Sequence, residues 1–158
     1  MDSVHFKSES DEWETPQDFF DKLNQIFNFK IDAAATLQNS KCQQRYEDGL
    51  KQLWEYSTFC NPPYSQLSQW VDHAIKSSLQ TNEPIVMLIP ARTDTKAFQK
   101  IAQYGSILFI KGRLKFRNPL KSTINPAPFP SALIFLNTDN YKNQIKTYLE
   151  PLGFLLSK

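Results

Sequence analysis

Glycine is scarce in this chain, and its four glycines, Gly49, Gly105, Gly112 and Gly153, stand far apart. No glycine-rich loop exists to cradle phosphates, which argues against a kinase or a nicotinamide-dependent enzyme. Cysteine is nearly absent. Cys42 and Cys60 have neither metal-ligand nor disulfide-framework spacing, and they fit a reducing cytoplasm. The two histidines, His5 and His73, belong to no Cys/His cluster and no Ser/His/Asp set. Neither a metal site nor a nucleophilic triad is therefore assigned, and His73, beside an apolar helix face, reads as structural. No stretch approaches the ~20 apolar residues of a membrane span. Residues 1–12 are polar and acidic with no apolar signal region, so a cytoplasmic location is expected. A large excess of one charge is also missing. With a net charge of +2, any binding to nucleic acid must come from local clustering of Lys and Arg.

What the chain does have is enough apolar residue to fold. At 158 residues and 41% hydrophobic it reads as one compact domain over 13–158, after a flexible lead over 1–12. Thr15 looks like a helix N-cap with Pro16 at the first position, followed by Phe19, Phe20, Leu23, Ile26 and Phe27 at helical spacing. A short strand is expected over 29–33, and another over 57–60. Between them, 36–53 is polar and irregular, with a short helix or strand near Arg45. Ser65 is placed to cap a helix whose Leu67, Trp70, Val71, Ala74, Ile75 and Leu79 share a face. The continuous apolar run over 84–89 marks a central strand buried on both sides. Thr93 or Asp94 would cap a helix carrying Ala97, Phe98 and Ile101. Strands over 106–110 and 131–136, a short helix over 139–149 and an edge strand over 153–156 complete the pattern. This alternation predicts an α/β fold with a mostly parallel central sheet.

The most telling residues are Asn61-Pro62-Pro63-Tyr64, placed where a strand ends. Each proline fixes its own φ and forces the residue before it to be extended. The turn is stiff. It presents two acceptors, the Asn61 side-chain oxygen and the Pro62 backbone oxygen, suited to grip an exocyclic amino group. Tyr64 adds a face on which a planar ring can stack. Amino nitrogens on aromatic rings are poor nucleophiles because the lone pair is delocalised, and two acceptors on the N–H bonds help return that pair to nitrogen. The plainer alternative is a Pro-rich strand-to-helix turn with a packed tyrosine.

Other candidates gather at strand ends, where ligands bind in doubly wound sheets. Asp32 and Ala33 end the first strand, Pro90 and Arg92 follow a later one, and Lys111 follows the next. From there a basic, Pro-bearing insertion spans 111–130. Lys111, Arg113, Lys115 and Arg117 alternate along it, with Lys121 beyond, and Leu114, Phe116 and Phe129 supply apolar contacts. Such a stripe can neutralise phosphates while an aromatic fills the gap left by an extruded base. It can equally be a solvated edge strand guarded against aggregation.

Taken in order, Trp13-Glu14-Thr15-Pro16, Ile31-Asp32-Ala33-Ala34-Ala35, Tyr46-Glu47-Asp48-Gly49-Leu50 with Trp54, Cys60-Asn61-Pro62-Pro63-Tyr64, the 88–95 loop and Lys111-Gly112-Arg113-Leu114-Lys115-Phe116 resemble the Dam-type DNA N6-adenine methyltransferases of phages and prophages. The resemblance covers roughly 11–137. It implies a Rossmann-like fold, S-adenosylmethionine as cofactor, no metal, and double-stranded DNA as partner with the target adenine flipped out. By the same resemblance, Asn61, Pro62, Pro63 and Tyr64 are catalytic. Trp13, Thr15 and Pro16 would hold the methionine end, Asp32 the amino group or ribose beside Ala33 and Ala34, and Asp48 the adenine or ribose. Arg92, Lys111, Arg113, Lys115, Phe116 and Arg117 would meet nucleic acid. The chain departs from the commonest methyltransferase pattern, in which glycines follow the first strand, and Asp32 also fits the role of a turn or cap acid. Three rivals stand beside this reading: a glutamine-N5 protein methyltransferase, an RNA adenine methyltransferase, and a catalytically dead DNA-binding or antirestriction protein.

Overall fold

A computed structural model describes residues 13–36, 39–46, 48–118 and 123–158. The lead over 1–12 and Lys121 lie outside them. Helix α1, Gln17–Phe27, leads into β1, Ile31–Asp32, and β2, Gln44–Arg45. Strand β3, Thr58–Cys60, precedes the 61–64 loop, a 3-10 turn over Tyr64–Gln66 and α2, Leu67–Gln80. Then come β4, Ile85–Pro90, α3, Lys96–Ile101, and β5, Ser106–Ile110. A two-stranded hairpin of β6, Lys115–Asn118, and β7, Thr123–Pro126, is followed by β8, Ser131–Leu136, and β9, Gly153–Leu156.

Seven strands form one sheet in the order β2-β1-β3-β4-β8-β5-β9. Neighbours from β2 to β4 pair in parallel, while β8 pairs antiparallel with β4 and β5, and β9 antiparallel with β5. The sheet is thus mixed, which corrects the expectation of a mostly parallel one. The cause is the 111–130 segment. It leaves the end of β5, folds as the β6–β7 hairpin and returns as β8 beside β5, and a hairpin connection reverses direction. Strands β1 to β5 still point one way, so their carboxyl ends and the hairpin share one end of the sheet. This α/β arrangement is consistent with a methyltransferase fold.

The core forms two layers, one on each face of the sheet. Ile85, Met87 and Ile89 pack with Trp70, Val71, Ala74, Phe98 and Ile101 of α2 and α3. Val86 and Leu88 face the other way, against Phe20, Leu23 and Phe27 of α1 and Ile145 and Leu149. All of β4 is buried, as its continuous apolar run predicts, and so is all of β8. The expected helix over 139–149 forms as a helical run that is 3-10 over Asp139–Tyr141, α over Lys142–Gln144 and π over Ile145–Leu149.

Three expected caps are placed differently. Pro16, not Thr15, precedes α1, and no side chain caps it. The Thr15 hydroxyl is engaged elsewhere. Ser65 falls inside the 3-10 turn, so α2 starts at Leu67 without a side-chain cap. Thr95 replaces Thr93 or Asp94 on α3, its Oγ1 accepting from the Phe98 N–H at 3.3 Å. Leu79, expected on the apolar face, is 70% exposed, and the last turn of α2 instead buries Ser77 and Ser78. Among the described residues, no helix is long and apolar enough to cross a membrane.

Candidate active site

Strand β1 lies between β2 and β3, so the chain departs to one side of it and returns on the other. Open α/β sheets bind ligands at such a switch point. Asp32 ends β1 and Asn61 follows β3, and both line a cavity of about 230 Å³ there. Trp13, Glu14 and Thr15 form one wall, Ala34, Ala35 and Thr36 another, and Asn39 and Lys41 a third. Phe59 and Pro63 contribute to the lining.

Asn61 sits in a fixed frame. Its Nδ2 donates to the Trp13 carbonyl oxygen at 2.6 Å and to Thr15 Oγ1 at 3.0 Å. Its Oδ1 accepts from the Tyr64 hydroxyl at 3.1 Å. Acceptors on one end and a donor on the other decide which way the carboxamide points. One Oδ1 lone pair stays available for an incoming N–H. This is the employment of Thr15 that leaves α1 uncapped: its side chain, 4% exposed, serves the 61–64 loop. Tyr64 packs edge-on against Phe129 at 5.2 Å, and burial pushes its phenol well up, with Cys60 adding to the shift and Arg92 opposing it.

Asp32 is 5% exposed. Its Oδ2 accepts from the Lys41 backbone N–H at 2.9 Å. Burial pushes its carboxyl up to about 6, against the pull of backbone hydrogen bonds from Lys41 and Ala34 and the Lys41 charge. Lys41 Nζ in turn reaches Glu14 Oε1 at 3.3 Å and Gln17 Oε1 at 3.2 Å. Asn39 Oδ1 accepts from the Thr36 N–H at 2.7 Å and closes the turn after β1. Burial, and then the nearby Asp32, push the Cys42 thiol up to about 12, so it stays protonated.

The structure gathers Trp13, Thr15, Asp32, Ala34, Asn61 and Pro63 around this cavity. It does not gather Ala33, Pro16 or Asp48. Ala33 is buried in the core behind the wall. Asp48 makes an Asx turn to the Leu50 N–H at 3.1 Å and an ion pair with Lys51 at 3.4 Å. Its neighbour Gly49 has a clear task. A Cβ there would lie 2.1 Å from the Ala33 carbonyl oxygen, so only glycine lets this turn press against the end of β1. Thr36, Asn39 and Lys41 are cavity residues that sequence reasoning missed, since each lies in a polar, irregular stretch with no pattern to single it out. Glu14 enters the sequence reading only as part of the entrance motif, with no role of its own.

A second hollow of about 520 Å³ adjoins the same loop, lined by Tyr64, Gln66, Gln69, Pro90, Arg92 and Lys96 among others. The Arg92 guanidinium lies 5.8 Å from the Phe129 ring centre. The basic insertion is tied to the first cavity wall: Glu14 and Arg117 exchange backbone hydrogen bonds at 3.2 and 3.3 Å. Lys111, Arg113, Lys115 and Arg117 are all exposed, but only Lys115 and Arg117 alternate along β6. Gly112, at φ +73°, turns the chain before them. Phe116 points the other way and is 1% exposed, packed on Trp13 and Phe129. Strand alternation puts Phe116 in the core while its neighbours Lys115 and Arg117 face solvent. Among the described residues, no group of three or more His, Cys, Asp or Glu is placed to hold a metal.

Residues 2–150 match the family model described as DNA N-6-adenine-methyltransferase (Dam). A DNA N-6-adenine-methyltransferase of Haemophilus phage HP1 (strain HP1c1) is 34% identical over 121 residues, spanning 71% of this chain and 69% of that protein.

Proposed function

Because the chain belongs to the DNA N-6-adenine-methyltransferase (Dam) family, we propose that the Asn61-Pro62-Pro63-Tyr64 loop is its catalytic centre, with the methyl donor in the smaller cavity and a flipped adenine at Tyr64. The chain is an adenine-specific DNA methyltransferase. The finer reading names S-adenosylmethionine as donor and double-stranded DNA as the form of the substrate.

The donor set of the cavity suits that cofactor. Two carboxylates, Glu14 and Asp32, and one ammonium, Lys41, face a space bordered by the small side chains of Ala34 and Ala35. The sequence has no glycine-rich loop to cradle phosphates, and this cofactor carries none. When bound, S-adenosylmethionine supplies an electrophilic methyl group on a sulfonium. Asp32 holds its cationic amino group or ribose, and Trp13, Glu14 and Thr15 enclose the amino-acid end. Asn61 Oδ1 and the Pro62 carbonyl accept the two N–H bonds of adenine N6. They draw the lone pair onto N6 as it takes the methyl carbon. Transfer would leave the carbon–sulfur bonding pair on sulfur, and N6 would give up one proton to solvent, so that charge and atoms balance. Tyr64 stacks on the extruded base, offsetting the few kcal/mol of unstacking. Preorganised acceptors and alignment supply the rate enhancement, with no covalent enzyme intermediate. Lys111, Arg113, Lys115, Arg117 and Arg92 track DNA phosphates from the same end of the sheet.

The observation that carries this reading is the Asn61 carboxamide, held by three hydrogen bonds between two hollows. Its test is incubation with tritiated S-adenosylmethionine and, separately, duplex DNA, RNA and protein. Label should enter duplex DNA and be recovered as N6-methyladenine. Label confined to RNA or to protein glutamine would reject it, as would cofactor binding with no transfer to any of the three.

A further inference from the structure

We propose that Lys41 recognises the carboxylate of the cofactor's amino-acid end, a role that deepens the reading of the smaller cavity as the donor site and rests on it. Lys41 is the one cation among the described residues lining that cavity, and its side chain is only 9% exposed. Glu14 and Asp32 line the same space. An incoming carboxylate would meet two anions there unless an ammonium faced it.

Lys41 is held for that task from both ends. Its backbone N–H is bonded to Asp32 Oδ2 at 2.9 Å, which pins residue 41 to the end of β1. Its Nζ donates to Glu14 Oε1 at 3.3 Å and Gln17 Oε1 at 3.2 Å. Both distances lie at or beyond the long end for such bonds. An ammonium has three N–H donors, so the third is available for a carboxylate oxygen. Asp32, accepting backbone N–H bonds, is left to meet the ligand's ammonium. The cavity then matches a zwitterion, with Lys41 on its negative end and Asp32 on its positive end. Glu14 serves as the resting partner that keeps Lys41 from being a buried lone charge.

The test is calorimetric titration of the full chain with two nucleosides. S-adenosylhomocysteine carries the amino-acid end, and 5′-methylthioadenosine lacks it. Lys41→Met keeps the backbone bond to Asp32 and a side chain of similar length. It should weaken S-adenosylhomocysteine about 10–100-fold, the loss expected for one charge-assisted hydrogen bond. It should leave 5′-methylthioadenosine within about twofold of wild type, as this ligand never meets the removed charge. An unchanged S-adenosylhomocysteine affinity would overturn the proposal, and so would an equal loss for both ligands, which would mark Lys41 as a packing residue. Should the methionine variant not fold, Lys41→Gln decides. Its neutral amide can still bond Glu14, so S-adenosylhomocysteine should weaken about fivefold or more while 5′-methylthioadenosine stays within about twofold of wild type, and any other result rejects the role. If wild type binds neither nucleoside, the donor-site reading itself fails and takes this proposal with it.

Discussion

The two hollows that meet at the 61–64 loop are built on different principles. The smaller is walled by acids and one lysine, and its side chains are tied to one another and to the backbone. The larger is bordered by Tyr64, glutamines and the exposed Arg92 and Lys96. One is a preorganised pocket with two acids and one ammonium, suited to a small polar ligand. The other is an open, positive surface suited to a polyanion. The loop between them belongs to both, and that is what a transfer between two dissimilar substrates requires.

The contrast can be broken from either side. The largest effect is expected at the loop itself. Asn61→Ala removes a preorganised acceptor and should lower turnover ~10²–10³-fold while cofactor affinity stays near wild type. Steady-state rates beside a cofactor titration check it, and near-normal turnover of a folded variant would contradict the assignment. Tyr64→Ala should follow, at roughly 10²-fold. Tyr64→Phe keeps the ring and loses only the bond to Asn61 Oδ1, for a cost of about 2–10-fold. The opposite ranking would deny that the ring stacks on the base.

On the donor side, Asp32 links affinity to pH. Its carboxyl sits at about 6 in the fold, against ~3.9 when unperturbed. Between about pH 4 and 6 the folded chain therefore holds a proton there that the unfolded chain has released. Stability from this group is fully present below about pH 4 and declines as pH rises through 6, by about 2–3 kcal/mol. Asp32→Asn should remove that decline, so thermal melts at about pH 5 and pH 8 should differ less than in wild type. The same variant should bind cofactor about tenfold more weakly at neutral pH, because the ionised carboxylate is what a ligand cation meets. A variant with unchanged cofactor affinity would return Asp32 to the role of a turn acid. Thr15→Val takes away one of two acceptors of Asn61 Nδ2 and should slow transfer about 2–10-fold with little change in cofactor affinity.

The smallest effect is expected on the acceptor side. Lys115→Ala should lower the salt slope of DNA binding by about 1 and weaken all sequences alike. Arg113→Ala and Arg117→Ala, compared on specific and scrambled duplexes, separate phosphate contact from base reading. If all three match wild type, the DNA contacts lie elsewhere, with the Arg92 loop the next place to look.

Much of this was legible in the sequence, for local reasons. The apolar run of β4 announces a buried strand, β8 is legible as a strand, and the Asn-Pro-Pro-Tyr turn announces itself because proline geometry is local. Strand direction was not legible. A strand buried on both faces reads the same whichever way it runs, so β8 gave no sign of its antiparallel insertion. Thr15 has the chemistry of a cap, and only the fold reveals that Asn61 claims its hydroxyl. Lys41 and Glu14 lie 27 residues apart in irregular segments and acquire meaning only once β1 brings residue 41 beside the entrance. Phe116 looked like part of a basic surface until the fold packed its ring on Trp13 and Phe129.

The division of labour between the two hollows has one direct test, a map of backbone amide shifts by NMR as S-adenosylhomocysteine and then a duplex containing the target adenine are added. The first ligand should move the amides of residues 13–15, 32–36, 39–41 and 61 and leave 92–97 in place. The duplex should then move 64–69, 92–97 and 113–117. If S-adenosylhomocysteine shifts 92–97 and spares 32–41, the donor occupies the larger hollow and the account is wrong.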